Sequence, residues 1–345
     1  MQGAKRTKQH ASRKSGPFHR ADATSAQPRA YPAAAQNWGG VASTPGARSV
    51  PVHGGAQPRQ KSSRITSEWL TSLGQRFTTA FILMPVVIAI TWFGGWVAFG
   101  GALLVVLVGM WEFHGMFTQR GWHPISLLSV ALCVDFLVAA MVPQHRALIL
   151  LLGVSAALIL SFLWLMIVRQ TTLEGSLTDW ALTLVVPFYL GWPLAFFLLL
   201  RGDVAGYKPA GFWWTLTTLF TVWAFDTFAF FAGRFFGRTK LAPLISPKKT
   251  WEGVAGGLIF ALIASFLFTR PINVPWYHAV ILGVLVSIAA TLGDLAESLL
   301  KRDTGVKDSG TLMRGHGGVL DRVDSLLFAV IVVLFYAVFL GSVTL

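Results

Sequence analysis

The sequence predicts an all-α polytopic membrane protein with about nine transmembrane helices. Apolar residues make up 54% of its 345 positions and charged residues only 12%, whereas charged residues average about 25% in soluble domains. The mean hydropathy of +0.60 agrees with this assignment. The apolar residues are also gathered into runs close to the ~20 residues that a membrane-crossing helix needs. A soluble globular fold is therefore not expected.

A basic N-terminal region, residues 1–65, differs from the rest of the chain. It holds eleven Lys and Arg residues and a single acid, Asp22, and it nearly lacks aliphatic residues. Such a composition cannot build a core, so we expect a disordered cytoplasmic tail. Its charge either fixes the topology or attracts an anionic membrane surface, and a transit peptide would look similar. Nucleic-acid binding is not expected, because only Phe18, Tyr31 and Trp38 could stack on bases.

The remainder of the chain divides into apolar segments that we interpret as helices. Their approximate spans are 77–93, 95–116, 125–142, 147–168, 179–200, 212–233, 253–269, 276–299 and 325–343. Several are shorter than an upright membrane helix, which predicts tilted or partly re-entrant helices. Only Gly94-Gly95 separates the first two segments.

The charge of the connecting loops predicts the orientation. With the tail in the cytoplasm, the loops on the same side lie near 117–124, 169–178, 234–252 and 300–324. That side then holds all but four of the 28 Lys and Arg residues, the exceptions being Arg146, Arg201, Lys208 and Arg270. By the positive-inside rule, the charged loops are cytoplasmic and the C-terminus lies on the opposite side.

The stretch from Gly293 to Asp324 is the most polar part of this apolar region. Four of its residues share one helical face at positions i, i+3, i+4 and i+7, namely Asp294, Glu297, Ser298 and Lys301. Asp321 and Asp324 follow at the start of the last apolar segment. Between them, Gly315–Gly318 forms a turn whose backbone N–H groups could cradle an anion. Carboxylates, cations and a glycine turn at a membrane face indicate a phosphoryl-transfer site, with catalytic loops in the cytoplasm.

Asp294 and Asp321 are the predicted metal ligands of this site. Mg²⁺ prefers hard oxygen ligands and is usually held by one or two carboxylates together with substrate phosphates. Polyphosphate charge could be neutralised by four cations, Lys301, Arg302, Lys307 and Arg322. His316 has no second His or Cys at zinc-ligand spacing, so we expect it to donate a proton or to hydrogen-bond a phosphate.

A second polar stretch runs from Asp226 to Gly253. Asp226 and Gly233 share a helical face, and Gly233 and Gly237 form a small-xxx-small pair that permits close helix packing. Ser246-Pro247 predicts a helix start, because Ser is a favourable N-cap and Pro a favourable first helical residue.

Cations follow that predicted helix start. Lys248 and Lys249 would stand where the positive helix end favours anions, which indicates a bound phosphate. The alternative is that these lysines extend to lipid phosphates. Thr250 and Glu252 add a hydroxyl and a carboxylate.

Two acids in other apolar segments are interpreted as structural. Asp135 is expected to make a hydrogen bond in helix packing, and Glu112 to pair with a basic residue such as Arg76. The single cysteine, Cys133, excludes an intrachain disulfide.

Several motifs together match one family pattern. They are SLLKR at 298–302, KDSG at 307–310, GHGGV at 315–319, DRVD at 321–324, SPKKTWEG at 246–253, Asp226 and, more weakly, Arg76, Pro85 and Trp111-Glu112. The pattern resembles that of the phosphatidate cytidylyltransferases (CDP-diacylglycerol synthases) over about residues 76–345. Arg314 departs from it, because Pro or Gly is usual at that position.

The resemblance implies a transmembrane cytidylyltransferase domain over 76–345 that depends on Mg²⁺. Its reaction would transfer CMP from CTP to phosphatidate, giving CDP-diacylglycerol and pyrophosphate for phospholipid biosynthesis. The implied catalytic residues are Asp294, Asp321, Lys301, Arg302, His316 and Asp324. The implied substrate-binding residues are Asp226, Ser246, Lys248, Lys249, Thr250, Glu252, Ser298, Lys307, Asp308 and Arg322. The expected setting is a bacterial inner membrane, with CTP, phosphatidate, the lipid bilayer and optionally a second copy of the chain as partners, and no nucleic acid.

Two other functions are compatible with parts of the sequence. A CTP-dependent polyprenol or phytol kinase would release CDP, whereas a cytidylyltransferase releases pyrophosphate. A polytopic transporter is the alternative from a different class. It fits the charge pattern less well, because transport sites lie near the membrane midplane and the charges here concentrate in loops on one face.

Overall fold

The computed structural model describes residues 83–168, 173–202, 209–310 and 317–343. These residues form nine α-helices, two single-turn 3₁₀ segments and one two-stranded antiparallel sheet. The helices are α1 (Leu83–Phe93), α2 (Gly95–Arg120), α3 (Ser126–Met141), α4 (Arg146–Val168), α5 (Ser176–Arg201), α6 (Pro209–Phe236), α7 (Trp251–Thr269), α8 (Trp276–Thr304) and α9 (Leu320–Phe339). The strands are β1 (Lys240–Ala242) and β2 (Ser246–Thr250). The predicted tail, 1–65, lies outside the described residues.

The prediction of an all-α polytopic membrane protein is confirmed. Within the described ranges, seven helices are long and apolar enough to cross a membrane, and α1 and α3 are shorter apolar helices. All nine lie where the sequence predicted apolar segments, but the number of crossings stays a prediction. With 29 residues, α8 is about 43 Å long and exceeds the ~30 Å hydrocarbon layer. Its C-terminal end, which carries the charged residues, can therefore extend past the lipid tails.

Small residues bring α6 and α7 into close contact. A Cβ added at Gly253 would lie 2.9 Å from the Ala229 carbonyl oxygen and 3.2 Å from the Gly233 Cα. One added at Gly257 would lie 2.8 Å from the Phe225 carbonyl oxygen. The two backbones therefore meet without intervening side chains, which confirms the packing role predicted for Gly233. This contact fixes one wall of the cavity described below.

Two buried clusters hold the remaining helices together. The first joins α2, α3 and α5 around the fully buried side chains of Phe113, Phe136 and Leu190. The second joins α5, α6, α8 and α9 around Trp214 and Val286. By contrast, α4 buries only one small apolar residue and one serine, so nearly its whole surface faces outward. Such a helix is suited to contact with lipid.

The structure confirms only part of the role predicted for Asp135. Its carboxyl group lies flush against Gly153 of α4, so a Cβ at that glycine would overlap it. The acid therefore takes part in helix packing, as expected. However, its Oδ2 atom is buried and makes no hydrogen bond within the described part of the chain.

A buried arginine closes the tight link between α1 and α2. Arg201, at the end of α5, donates from Nε to the Thr91 carbonyl oxygen at 2.5 Å and from a terminal nitrogen to that of Trp92 at 3.0 Å. The last carbonyls of a helix lack intrahelical partners, and a guanidinium satisfies them well. Gly94 has φ +59° and packs on the same guanidinium, with room for no side chain.

The predicted helix start at Ser246-Pro247 is wrong. Residues Ser246–Thr250 form β2, which pairs with β1, and α7 begins only at Trp251. Thr250 is the actual N-cap, since its Oγ1 accepts from the Gly253 amide at 3.2 Å. The local preference of Ser-Pro for a helix start was overridden by strand pairing, and Pro is tolerated in an edge strand. Thr250 satisfies the same capping preference four residues later.

Candidate active site

A cavity of about 820 Å³ lies between α6, α7, α8, α9 and the β1–β2 hairpin. Its charged lining residues are the acids Asp226, Asp294, Glu297, Asp321 and Asp324 and the bases Arg234, Lys240, Lys248, Lys249, Lys301 and Arg322. The fold thus brings together charged groups that are spread over about a hundred positions of the sequence. Such a mixture can hold phosphates and a divalent cation at the same time.

The polar face of α8 is ordered by contacts one turn apart. Lys301 Nζ donates to Glu297 Oε2 at 2.9 Å, and Ser298 Oγ donates a long hydrogen bond, 3.4 Å, to Asp294 Oδ1. The four residues therefore lie on one helical face, as predicted, and they also form i, i+4 contacts with one another. Glu297 is fully buried, and its other oxygen has no hydrogen-bond partner among the described residues.

Asp321 is held by four hydrogen bonds. Its Oδ2 accepts from the Ser309 amide at 3.1 Å, the Ser309 hydroxyl at 2.9 Å and the Gly318 amide at 2.8 Å. Its Oδ1 pairs with Lys301. Three donors saturate Oδ2, so a metal could reach this carboxylate only through Oδ1. The role of Asp321 as a metal ligand stays a prediction.

The neighbouring lysines of β2 have different surroundings. Successive residues of a strand point to opposite faces, and here Lys248 is exposed while Lys249 is half-buried. Lys249 Nζ forms an ion pair with Asp294 Oδ2 at 2.6 Å. Lys248 lines the cavity without such a contact to Asp294. The two lysines are therefore not equivalent.

Asp226 and Asp324 complete the acidic side of the cavity. Ser325 Oγ donates to Asp226 Oδ1 at 3.4 Å, and the Ser325 amide donates to Asp324 Oδ1 at 2.7 Å. Asp226, Asp294 and Asp324 interact electrostatically with one another. Across the described ranges, however, no three His, Cys, Asp or Glu side chains converge enough to hold a metal by themselves.

Not every residue predicted for the site reaches the cavity. Those that line it are Asp226, Lys248, Lys249, Thr250, Asp294, Lys301, Asp321, Arg322 and Asp324. Those described elsewhere are Ser246, Glu252, Ser298, Arg302, Lys307 and Asp308, and His316 lies outside the described residues. Glu252 accepts from the Thr239 amide at 3.0 Å, and Arg302 Nε donates to the Ile245 carbonyl oxygen at 3.3 Å. Both side chains thus hold the hairpin in place beside the cavity.

Glu112, interpreted from the sequence as a structural acid, belongs to the hydrogen-bond network of the site. Glu112 of α2 accepts hydrogen bonds from the Val319 and Leu320 amides at 2.7 and 2.9 Å, and from the Ser309 hydroxyl at 3.2 Å. Because Glu112 lies in an apolar segment, it was expected to need a partner. The partner predicted from the sequence, Arg76, lies outside the described residues. Backbone amides some 207 positions away leave no mark in a sequence. Two cavity bases, Arg234 and Lys240, were missed by the sequence analysis.

Comparisons with known proteins identify the family. Residues 74–340 match the model of the Cytidylyltransferase family. A phosphatidate cytidylyltransferase of Synechocystis sp. is 31% identical over 290 residues, covering 77% of this chain and 97% of that protein. Similar proteins of the same name occur in Brucella abortus, at 33% over 286 residues (78% and 95%), and in Staphylococcus haemolyticus, at 34% over 258 residues (73% and 94%). This chain therefore belongs to the cytidylyltransferase family.

Proposed function

We propose that the protein is a phosphatidate cytidylyltransferase, which makes CDP-diacylglycerol from CTP and phosphatidate. The observation that carries this proposal is the cavity of about 820 Å³, which mixes acids and bases among helices suited to span a membrane. The three relatives of that name given above are similar to the chain over 94% or more of their own length.

The proposed reaction is an in-line phosphoryl substitution. A phosphate oxygen of phosphatidate attacks the α-phosphorus of CTP, and the bond to the bridging oxygen breaks, so pyrophosphate leaves with the electron pair. Both reactants are anionic, and their repulsion contributes to the barrier. Lys248 and Arg322, which are exposed and line the cavity, are placed to offset that repulsion. Alignment of the two reactants in the cavity would lower the barrier further, and no protein nucleophile is needed.

We propose Mg²⁺ as the cofactor, held by Asp294 and by Asp321 through its Oδ1, with Asp226 or Asp324 as a further ligand. The donor set fits, because the cavity offers the carboxylate oxygens of five acids and Glu297 has one oxygen without a hydrogen-bond partner among the described residues. Mg²⁺ usually keeps several waters and binds through one or two carboxylates together with substrate phosphates, so the proposed ligands are sufficient in number. When bound, the ion would polarise the phosphates and neutralise their charge.

We also propose that the cavity faces the cytoplasm of a bacterial cell and lies in its inner membrane. The asymmetric distribution of Lys and Arg among the loops supports this orientation. CTP would then enter from the cytoplasm and phosphatidate from the bilayer.

The decisive test is product analysis with purified protein in mixed micelles. CTP labelled at the α-phosphorus is expected to transfer its label to a lipid and to release one pyrophosphate per lipid labelled. Release of CDP with a phosphorylated lipid would identify a kinase instead, and the absence of any CTP turnover would refute both enzymes. Chelation should abolish activity, and added Mg²⁺ should restore it; activity that survives chelation would refute the metal assignment.

A further inference from the structure

We infer that Glu112 is a positioning residue for the transfer reaction, because it fixes the start of α9 and, through Ser309, the carboxylate of Asp321. Glu112 does not line the cavity, so it acts on the reaction only through other residues. The inference rests on the proposed function and deepens it.

Glu112 supplies the cap that α9 lacks in its own sequence. No side chain of the flanking residue caps this helix, yet both Glu112 oxygens accept from its first amides, those of Val319 at 2.7 Å and Leu320 at 2.9 Å. The first amides of a helix have no intrahelical partner, and the positive end of the helix favours a carboxylate. The acid is 2% exposed, so water does not replace these contacts.

Ser309 links Glu112 to Asp321. Its hydroxyl oxygen lies 3.2 Å from Glu112 Oε2 and 2.9 Å from Asp321 Oδ2. A hydroxyl has one proton to donate, so two carboxylates share one donor and their positions depend on each other. Gly318 closes the arrangement, because a Cβ there would overlap both Glu112 and Ser309.

The linkage continues from Asp321 into the catalytic cavity. Asp321 pairs with Lys301, which in turn pairs with Glu297 at 2.9 Å. A displacement of Asp321 would therefore move the charged groups of α8. Misplacement of reacting groups by about 1 Å can cost about 10²-fold in rate, which is the kind of loss that a positioning residue prevents.

The test is the variant Glu112→Gln, which keeps the size of the side chain. Its amide nitrogen cannot accept, so either the Val319 amide or both the Leu320 amide and the Ser309 hydroxyl lose their acceptor. We expect kcat per folded molecule to fall about tenfold or more, with KM for CTP changed less than about twofold, since Glu112 contacts no substrate.

Asp179→Asn provides a matched control. Asp179 is also 2% exposed and also accepts from a backbone amide, that of His123, at 2.7 Å, but it does not line the cavity. Both variants should lose thermal stability in detergent, and only Glu112→Gln should lose kcat. Equal kcat per folded molecule in the two variants would overturn the inference.

Ser309→Ala tests the same linkage without touching the helix cap. We expect its kcat to fall several-fold at unchanged KM for CTP, and the Glu112→Gln/Ser309→Ala double variant to be hardly slower than Glu112→Gln alone. Losses that multiply in the double variant would contradict the inference. So would a normal kcat in Ser309→Ala, and that result does not depend on whether Glu112→Gln folds. Wild-type protein that makes no CDP-diacylglycerol would refute the proposed function, and the inference with it; active wild type with normal variants refutes the inference alone.

Discussion

At the scale of single residues, Lys248 and Lys249 show that neighbours of equal charge can take different roles. Strand geometry turns Lys249 towards Asp294, at 2.6 Å, while Lys248 stays exposed beside the cavity. A nucleotide can therefore recruit Lys248 directly. Lys249 becomes available to a nucleotide only after Asp294 has exchanged the ion pair with Lys249 for contact with a metal ion.

Substitution of the two lysines should consequently affect different ligands, CTP for Lys248 and Mg²⁺ for Lys249. Lys248→Ala is expected to raise KM for CTP about tenfold, the effect of losing one charge-assisted contact of roughly 1.5 kcal/mol. Lys249→Ala should instead lower the Mg²⁺ concentration for half-maximal activity, because Asp294 loses its competing cation. Titrations of CTP and Mg²⁺ on both variants measure this. Identical shifts in both variants would show that the lysines share one role.

Substitution of either predicted metal ligand should abolish turnover, but the two substitutions should differ in their effect on stability. Asp294→Ala should abolish turnover with little change in the melting temperature in detergent, since its contacts are one ion pair and one long hydrogen bond. Asp321→Ala should abolish turnover and lower the melting temperature by several degrees, because it removes four hydrogen bonds worth about 1 kcal/mol each. Added Mg²⁺ should rescue neither variant. Near-wild-type activity in Asp294→Ala would refute the metal site.

At the scale of secondary structure, hydropathy located all nine described helices, but local preference misplaced one start. Apolar run length reflects burial in lipid, which each segment carries in its own composition. The β1–β2 hairpin depends instead on pairing between residues 240–242 and 246–250, and such short strands have no periodic pattern. The motif residues around 294–324 were predictable because they are close in sequence. Glu112 was not, because its contacts join distant segments.

The contact between α3 and α4 offers a test at this scale. Gly153→Ala should lower the melting temperature by several degrees, because the added methyl overlaps the Asp135 carboxyl group. Asp135→Ala in the same chain should restore most of that loss, since it removes the overlapping atoms. Thermal unfolding of the two single variants and the double variant completes the cycle. Purely additive losses would show that this contact is not the cause.

At the scale of the whole molecule, much of the basic charge lies outside the part of the chain that matches the family. The tail of residues 1–65 carries eleven of the 28 Lys and Arg residues, yet the family match begins only at residue 74. The catalytic groups all lie between residues 226 and 325. Catalysis and tail charge are therefore expected to be independent.

Deleting residues 2–60 should leave specific activity in mixed micelles nearly unchanged. Any contribution of the tail to membrane retention or topology is expected to be electrostatic and to fade with salt. Activity and membrane fractionation of the truncated and complete chains, at low and high ionic strength, measure both effects. A large loss of activity that persists at high salt would make the tail part of the enzyme.

The hydrogen bonds between Glu112 of α2 and the first amides of α9 also have a consequence for the synthesis of the chain. Glu112 enters the membrane about 207 residues before the amides that it caps. At translation rates of about 5–20 residues per second, roughly 10–40 s pass between the synthesis of Glu112 and that of Val319 and Leu320. A chain that stops before Val319 lacks these amides, and Glu112 then keeps only the Ser309 hydroxyl among the partners described for it. We therefore expect such an incomplete chain to be less stable in detergent than the complete one, since a carboxylate that loses its hydrogen-bond donors is costly to bury.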